Sequence, residues 1–257
     1  MFGLSLCLLL LATCAGATVS KMGASHSDAA PLPKCAIPRT TENIAIDGDL
    51  AEDAWAATPV IDQFSFPWWT QGAKDRTEAR LLWDDDNLYI IYQCVDPYLD
   101  SEVKAHDGPV YNEDAVEIFA TPNAADVSTY YGYEMNINGT LLDYIAFGGG
   151  EEWTPNIQFT WQSEGVKIAT TYDGTLNDHS DTDRGWILEI AIPHDNFRHL
   201  GGQIPPVDGD TWRASLSRTA GYKGQFGLWS DTGAPTAAFH HAAYFGIFTF
   251  SKAVVGR

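Results

Sequence analysis

Two acidic residues three positions apart, Asp114 and Glu117, follow an aromatic, Tyr111, in the stretch VYNEDAVEIF at 110–119. Carboxylates so placed have three chemical uses: proton transfer at a scissile bond, coordination of a hard cation, or acceptance of hydrogen bonds from a polar ligand. Side-chain alternation along a strand separates these uses. In AVEIF, Val116 and Ile118 face a core while Glu117 and Phe119 face the other way. Asp114 falls on the core side at the strand's start, a place for capping a turn or binding a cation. In YEMNIN, Tyr133, Met135 and Ile137 share one side, and Glu134, Asn136 and Asn138 the other. If these strands are neighbours, Glu117, Glu134 and Asn136 line one sheet surface beside Tyr111. By the same count WRASLSR adds Arg213, Ser215 and Ser217. Ordinary polar-out alternation is the competing reading.

Other constellations carry less. Asp114 and Glu117 are close in sequence and face different ways, which disfavours the flanking carboxylates of a glycosidase. Asp178, Asp181 and Asp183 crowd one loop, NDHSDTDRG; calcium suits such oxygens, although the spacing departs from the EF-hand and a solvated turn is the favoured reading. His240 and His241 lack the spacing of a zinc helix and read as surface or turn residues. No nucleophile elbow, phosphate loop or dinucleotide fingerprint occurs. Trp153, after the glycine-rich GGGEEW, and Trp229, in LWSD, are candidate aromatics beside a site, with core packing as the alternative. Arg218 ends its strand and is expected to pair with Glu117 or Glu134.

The elements that must position these groups read as strands. ARLLW and LYIIYQCV flank DDDN, a hairpin turn. AVEIF, YGYEMNI, LLDYIAF, IQFTWQ, VKIATTY, GWILEIAIP, TWRASLSR and YFGIFTF follow, each bounded by turn formers. About ten short strands with alternating aromatics predict an all-β, antiparallel β-sandwich. Helical turns are expected at LAEDAW and PHDNFRHL. No internal repeat is evident.

Composition sets the partners. The 257 residues carry 34 Asp and Glu against 15 Lys and Arg, a net charge of -19 that repels nucleic acid and anionic lipid. Residues 1–17 read as a secretory leader, an apolar run closing on Ala15-Gly16-Ala17, too short to span a bilayer. LATC resembles a lipobox, so a lipid anchor at Cys14 is an alternative tether. Residues 18–38 read as a linker and 39–257 as the domain. Removal of the leader leaves Cys35 and Cys94, which are expected to form a disulfide in an oxidising compartment.

The segments IDGDLAEDAW, LLWDDDNLYIIYQCVDP, EDAVEIF, YEMNINGTLLD, GWILEIAIP and FHHAAYFGIFTF occur in the order seen in family 9 carbohydrate-binding modules. Over residues 44–250 the chain resembles that family, and most of all its stand-alone secreted members. The resemblance implies a DOMON-like, jelly-roll-like sandwich that binds sugar without catalysis and supports carbohydrate catabolism. It places Tyr111 and Phe239 at the two positions of an aromatic clamp, and Glu117 and Asn136 at hydroxyl-binding positions. Glu134 stands where characterised members place Arg, and the clamp residues are Tyr and Phe where those members carry Trp. No cofactor is implied beyond a structural calcium. The alternatives are a polysaccharide hydrolase or lyase, and a haem-binding DOMON relative.

Overall fold

The computed structural model describes residues 31–148 and 156–256. Leu32–Arg257 forms one compact unit. Among the described residues the twelve strands are β1 (Lys34–Thr40), β2 (Thr77–Trp83), β3 (Asn87–Val95), β4 (Ala115–Thr121), β5 (Thr129–Asn136), β6 (Leu141–Phe147), β7 (Asn156–Gln158), β8 (Lys167–Asp173), β9 (Gly185–Pro193), β10 (Thr211–Ala220), β11 (Gln225–Leu228) and β12 (Gly246–Val255). The expected helical turns are present as α1 (Asp53–Ala56) and a 3-10 helix at His194–Leu200. At the β2–β3 turn, Asp84 Oδ1 accepts the backbone N–H groups of Asp86 and Asn87, at 2.8 and 2.7 Å. That local bond is why consecutive acids make a tight turn here.

Hydrogen bonding runs β7-β6-β5-β4-β10-β12-β1-β2-β3-β9-β8, with β11 on β10. The path folds into two layers. Val116, Ile118 and Ala120 of β4 and Tyr131, Tyr133 and Met135 of β5 share one buried cluster with Leu88, Ile90 and Tyr92 of β3 and Leu188, Ile190 and Ile192 of β9. Each large side chain removed from water there contributes about 1.5–3 kcal/mol. The Tyr92 hydroxyl donates across the layers to the Glu117 carbonyl at 2.8 Å. A second cluster, including Phe119, Tyr130, Leu142, Tyr144, Phe239 and Phe245, covers the outer face of β4, β5 and β6.

Four expectations need correction. The antiparallel pattern is broken by β1, which runs parallel to both β12 and β2. β1 begins at Lys34, within the stretch read as linker. Pro38 hid it, because proline cannot donate to a ladder; the strand accommodates it with a register shift between Pro38 and Arg39.

The disulfide does not form: Cys35 and Cys94 are both free. Cys35 lies on β1 and Cys94 on β3, with β2 between them in the sheet. Two strand spacings amount to about 9.6 Å, more than a disulfide spans. Burial raises the thiols to about 11 and about 12, respectively.

Arg218 does not reach Glu117 or Glu134. The alternation that turns Ser215 and Ser217 outward turns Arg218 inward, where it is fully buried. Its guanidinium donates to Asp96 Oδ2 at 2.8 Å, to the Val95 carbonyl at 2.8 Å and to Thr77 Oγ1 at 3.1 Å. It thus bonds β10 to the other layer. Arg218→Ala strands the buried Asp96 charge and is expected to lower unfolding free energy by about 3–5 kcal/mol. Urea denaturation measures this, and a loss below about 1 kcal/mol would show that the pair does not hold the layers.

Candidate functional site

The site lies on the outer face of β4, β5, β6 and β10. Register sets its rows: Glu117 stands opposite Ser217 on one side and Glu134 on the other, and Glu134 opposite Leu142. The next row holds Phe119, Gly132 and Tyr144. A Cβ on Gly132 would come within 2.3 Å of the Tyr144 ring. Glycine therefore lets that ring lie flat over β5 and aim its hydroxyl at Glu134 Oε1, which it reaches at 2.6 Å.

Above this floor is a cavity of about 360 Å³ lined by Tyr111, Glu117, Glu134, Tyr144, Phe159, Phe239 and His240, among others. Tyr111 rides on a 3-10 turn, Val110–Asn112, whose Val110 is buried while the Tyr111 ring is 48% exposed. Phe159, just after β7, is equally exposed and meets Tyr144 edge-on at 5.7 Å. Phe239 is buried, its ring 6.1 Å from both Trp68 and Phe226. His240 stacks on Phe119 at 4.8 Å.

The floor is electrostatically unusual. Burial pushes Glu117 well above the ordinary carboxylate range, and the neighbouring Glu134 charge adds to the rise. Burial raises Glu134 to about 7, against the opposing effect of the Tyr144 hydrogen bond. Tyr144 takes one oxygen of Glu134, and the other, Oε2, is buried without a partner. A buried carboxyl oxygen left unpaired beside a second buried carboxyl is costly unless a ligand or a shared proton satisfies it. Burial also lowers His240 to about 4, so its imidazole is neutral. Nδ1 lies 2.8 Å from the Tyr130 hydroxyl; if it accepts that proton, Nε2 carries the hydrogen.

The remaining sequence candidates sit elsewhere. Asn136 is on the correct face but at the strand's end, with its amide committed: Nδ2 donates to the Val103 carbonyl and Glu113, and Oδ1 accepts from Thr140 N–H. It does not line the cavity. Trp229 is a core residue, packed on Phe248 at 5.4 Å in the interlayer cluster. Trp153 falls outside the described residues. Asp114 accepts Asp100 N–H at 2.6 Å and Gly221 N–H at 2.7 Å, joining two loops. Burial, with the Asp96 charge added, raises it to about 8.

Asp178, Asp181 and Asp183 do not converge. Asp178 accepts from Ser180, and buried Asp183 accepts Leu99 and Thr175 N–H groups. His106, Asp107 and Asp143 are, among the described residues, the cluster that brings three ligating atoms within 4.8 Å of one another.

Sequence reasoning passed over Phe159 and Tyr144, and read His240, which lines the cavity, as a surface or turn residue. Tyr144 had a signal: the Asn138-Gly139 turn sets the β5–β6 register and so puts it beside Glu134. His240 and Phe159 gave none, since their loops meet the sheet through long-range packing.

Comparison with known proteins places this geometry. The family model described as "Carbohydrate family 9 binding domain-like" matches residues 46–252. "Exoglucanase XynX" of Acetivibrio thermocellus is 28% identical over 164 residues, which cover 63% of this chain and 13% of that protein. "Endo-1,4-beta-xylanase A" of Thermotoga neapolitana is 29% identical over 105 residues, 41% of this chain and 10% of that one. The chain thus spans about a tenth of these relatives. "Extracellular protein" of Arthroderma benhamiae is 24% identical over 201 residues, 74% of this chain and 82% of that protein. Among solved structures, a Bacteroides uniformis protein superposes with a TM-score of 0.66 at 18% identity, covering 86% of this chain and 100% of its own. A family 9 carbohydrate-binding module from Caldicellulosiruptor kristjanssonii, solved with cellotriose, gives 0.58 at 16% identity, covering 86% and 94%.

The raised Glu134 generates a pH prediction. A carboxyl whose folded pKa lies near 7, above its ordinary value of 4.5, contributes stability that is complete below pH 4.5 and lost as pH rises through 7. Glu134→Gln removes that loss. Relative to the unsubstituted protein, the variant should gain more than about 1 kcal/mol between pH 5 and pH 8 in urea titrations; parallel pH profiles would refute the assignment.

Proposed function

Because the chain belongs to the family of Carbohydrate family 9 binding domain-like proteins, we propose that the outer-face cavity is its saccharide site. The observation that carries this reading is the coincidence, in one cavity, of half-exposed aromatic rings with two buried carboxyl groups, one of which, Glu134, keeps an oxygen without a protein partner. A pyranose offers an apolar C–H face and a rim of hydroxyls. The open faces of Tyr111 and Phe159 take the first, each worth roughly 1 kcal/mol. Phe239, braced by Trp68 and Phe226, forms a wall. Glu117 and Glu134 accept hydrogen bonds from the hydroxyls, and a bond to the ionised member of the pair contributes about 1.5–3 kcal/mol. When the pair shares a proton, it presents a donor as well as acceptors, which matches groups that both donate and accept.

The action is non-catalytic. Glu117 and Glu134 are side by side on one sheet floor, so both approach a ligand from the same face, whereas glycosidase carboxyls flank the scissile bond. The ligand class we favour is a β-linked glucan or its glucose-containing ends; the relative bound to cellotriose and the xylanase and exoglucanase relatives support it. The leader-like residues 1–17 and the extracellular relative support export, with a lipid on Cys14 as the alternative tether. Outside the cell the protein would hold polysaccharide within reach of hydrolases.

Calorimetry with glucose, cellotriose and xylotriose tests the site. Tyr111→Ala should weaken binding about tenfold and Phe159→Ala several-fold, while Glu117→Gln should cost at least tenfold. No new reducing ends should appear on prolonged incubation. Retained affinity in both ring variants would remove the cavity from consideration, and released reducing ends would restore the hydrolase reading.

A further inference from the structure

A second cluster of chemistry-bearing groups lies apart from the cavity floor. His106 and Asp107 sit in the segment between β3 and β4, Asp143 lies on the core-facing side of β6, and Gln162 follows β7. His106 Nε2 is 3.5 Å from Asp107 Oδ1 and 3.5 Å from Asp143 Oδ1. Gln162 Oε1 is in hydrogen-bond contact with the same Nε2, and Gln162 Nε2 donates to Asp107 Oδ2 at 2.9 Å. Four potential ligand atoms from three separate segments therefore meet around one point.

One of these atoms is otherwise unexplained. Asp143 is fully buried, and its Oδ2 is taken by the backbone N–H of Ser163 at 2.6 Å and by the Ser163 hydroxyl. Its Oδ1 is buried, has no hydrogen-bond partner and is aimed at His106. A lone carboxylate oxygen left dry inside a sandwich is expensive. A protein-only arrangement, with His106 Nε2–H donating to Gln162, leaves that oxygen unsatisfied. A cation satisfies it.

The donor set selects the cation. Calcium and magnesium take oxygen, whereas a neutral imidazole nitrogen beside two carboxylates suits zinc and its first-row neighbours. Zinc bonds of about 2.0–2.1 Å in a tetrahedron imply ligand-to-ligand edges of roughly 3.3 Å, close to the two 3.5 Å separations from His106 to Asp107 and Asp143.

We propose that His106, Asp107 and Asp143, with Gln162 Oε1 completing the set, form a zinc-class metal site that staples the 105–107 and 159–162 segments to β6. Those segments hold little other secondary structure, and the second of them carries Phe159. The site is distinct from the aspartate loop at 178–183 and involves no saccharide, so its failure leaves the carbohydrate reading untouched.

The test is titration of the whole chain, stripped with EDTA, with Zn²⁺ alone and with Ca²⁺ alone, followed by calorimetry and thermal unfolding. One equivalent of zinc should bind with a micromolar or tighter dissociation constant and raise Tm by several degrees. His106→Ala should fold normally, because that side chain is half exposed, and should lose at least tenfold in zinc affinity together with the Tm rise. Asp143→Asn should do the same. Failure to bind zinc at 0.1 mM, or unchanged binding in both variants, overturns the proposal. A Tm rise with calcium and none with zinc overturns it as well.

Discussion

The structure is organised around two carboxyl groups set directly opposite each other on adjacent strands. Glu117 and Glu134 are both nearly inaccessible, and Glu134 keeps one oxygen without a protein donor. Burial raises both carboxyls, and for Glu117 the like charge of Glu134 across the strands adds to the rise, so two stable anions do not stand side by side. Such a row persists because the sheet beneath it is rigid. The interlayer core fixes β4 through Val116, Ile118 and Ala120, and the Tyr92 hydroxyl holds the carbonyl of Glu117 itself. Strain of this kind is expected where a fold keeps polar groups ready for a ligand.

Everything around the pair limits water and sets direction. Tyr144 bonds one oxygen of Glu134, a geometry that Gly132 permits. His240, stacked on Phe119 and kept neutral by burial, closes one side without adding charge. Tyr111 and Phe159 leave ring faces open above the carboxyl row, while Phe239 is held by its aromatic neighbours. The chain's large negative charge does not fill the site with mobile anions; its two acids there, Glu117 and Glu134, are only 2% and 4% exposed. In the other direction, Arg218 and Asp96 neutralise each other on the core side of the same sheet. A single strand, β10, thus supplies polar groups to the outer face and an ion pair to the interior, and side-chain parity alone separates the two.

What the sequence determined by itself was local and periodic. Alternation placed Glu117, Glu134, Ser215 and Ser217 on one face, because a pleated strand leaves no other choice. Turn residues such as Asp84 marked the hairpins, and their spacing gave an all-β sandwich. Parity also contained the answer for Arg218, whose number differs by one from Ser217. Tertiary structure decided what periodicity cannot encode. Strand order put β2 between the two cysteines, so no disulfide forms. The register at the end of β5 spent the Asn136 amide on neighbouring loops, and packing drew Trp229 into the core. Loops far apart in sequence brought Phe159 and His240 to the cavity, and His106, Asp107, Asp143 and Gln162 to one point. The physical reason is common to all of these: face and turn are fixed by neighbours within a few residues, whereas convergence depends on how separate strands and loops pack together.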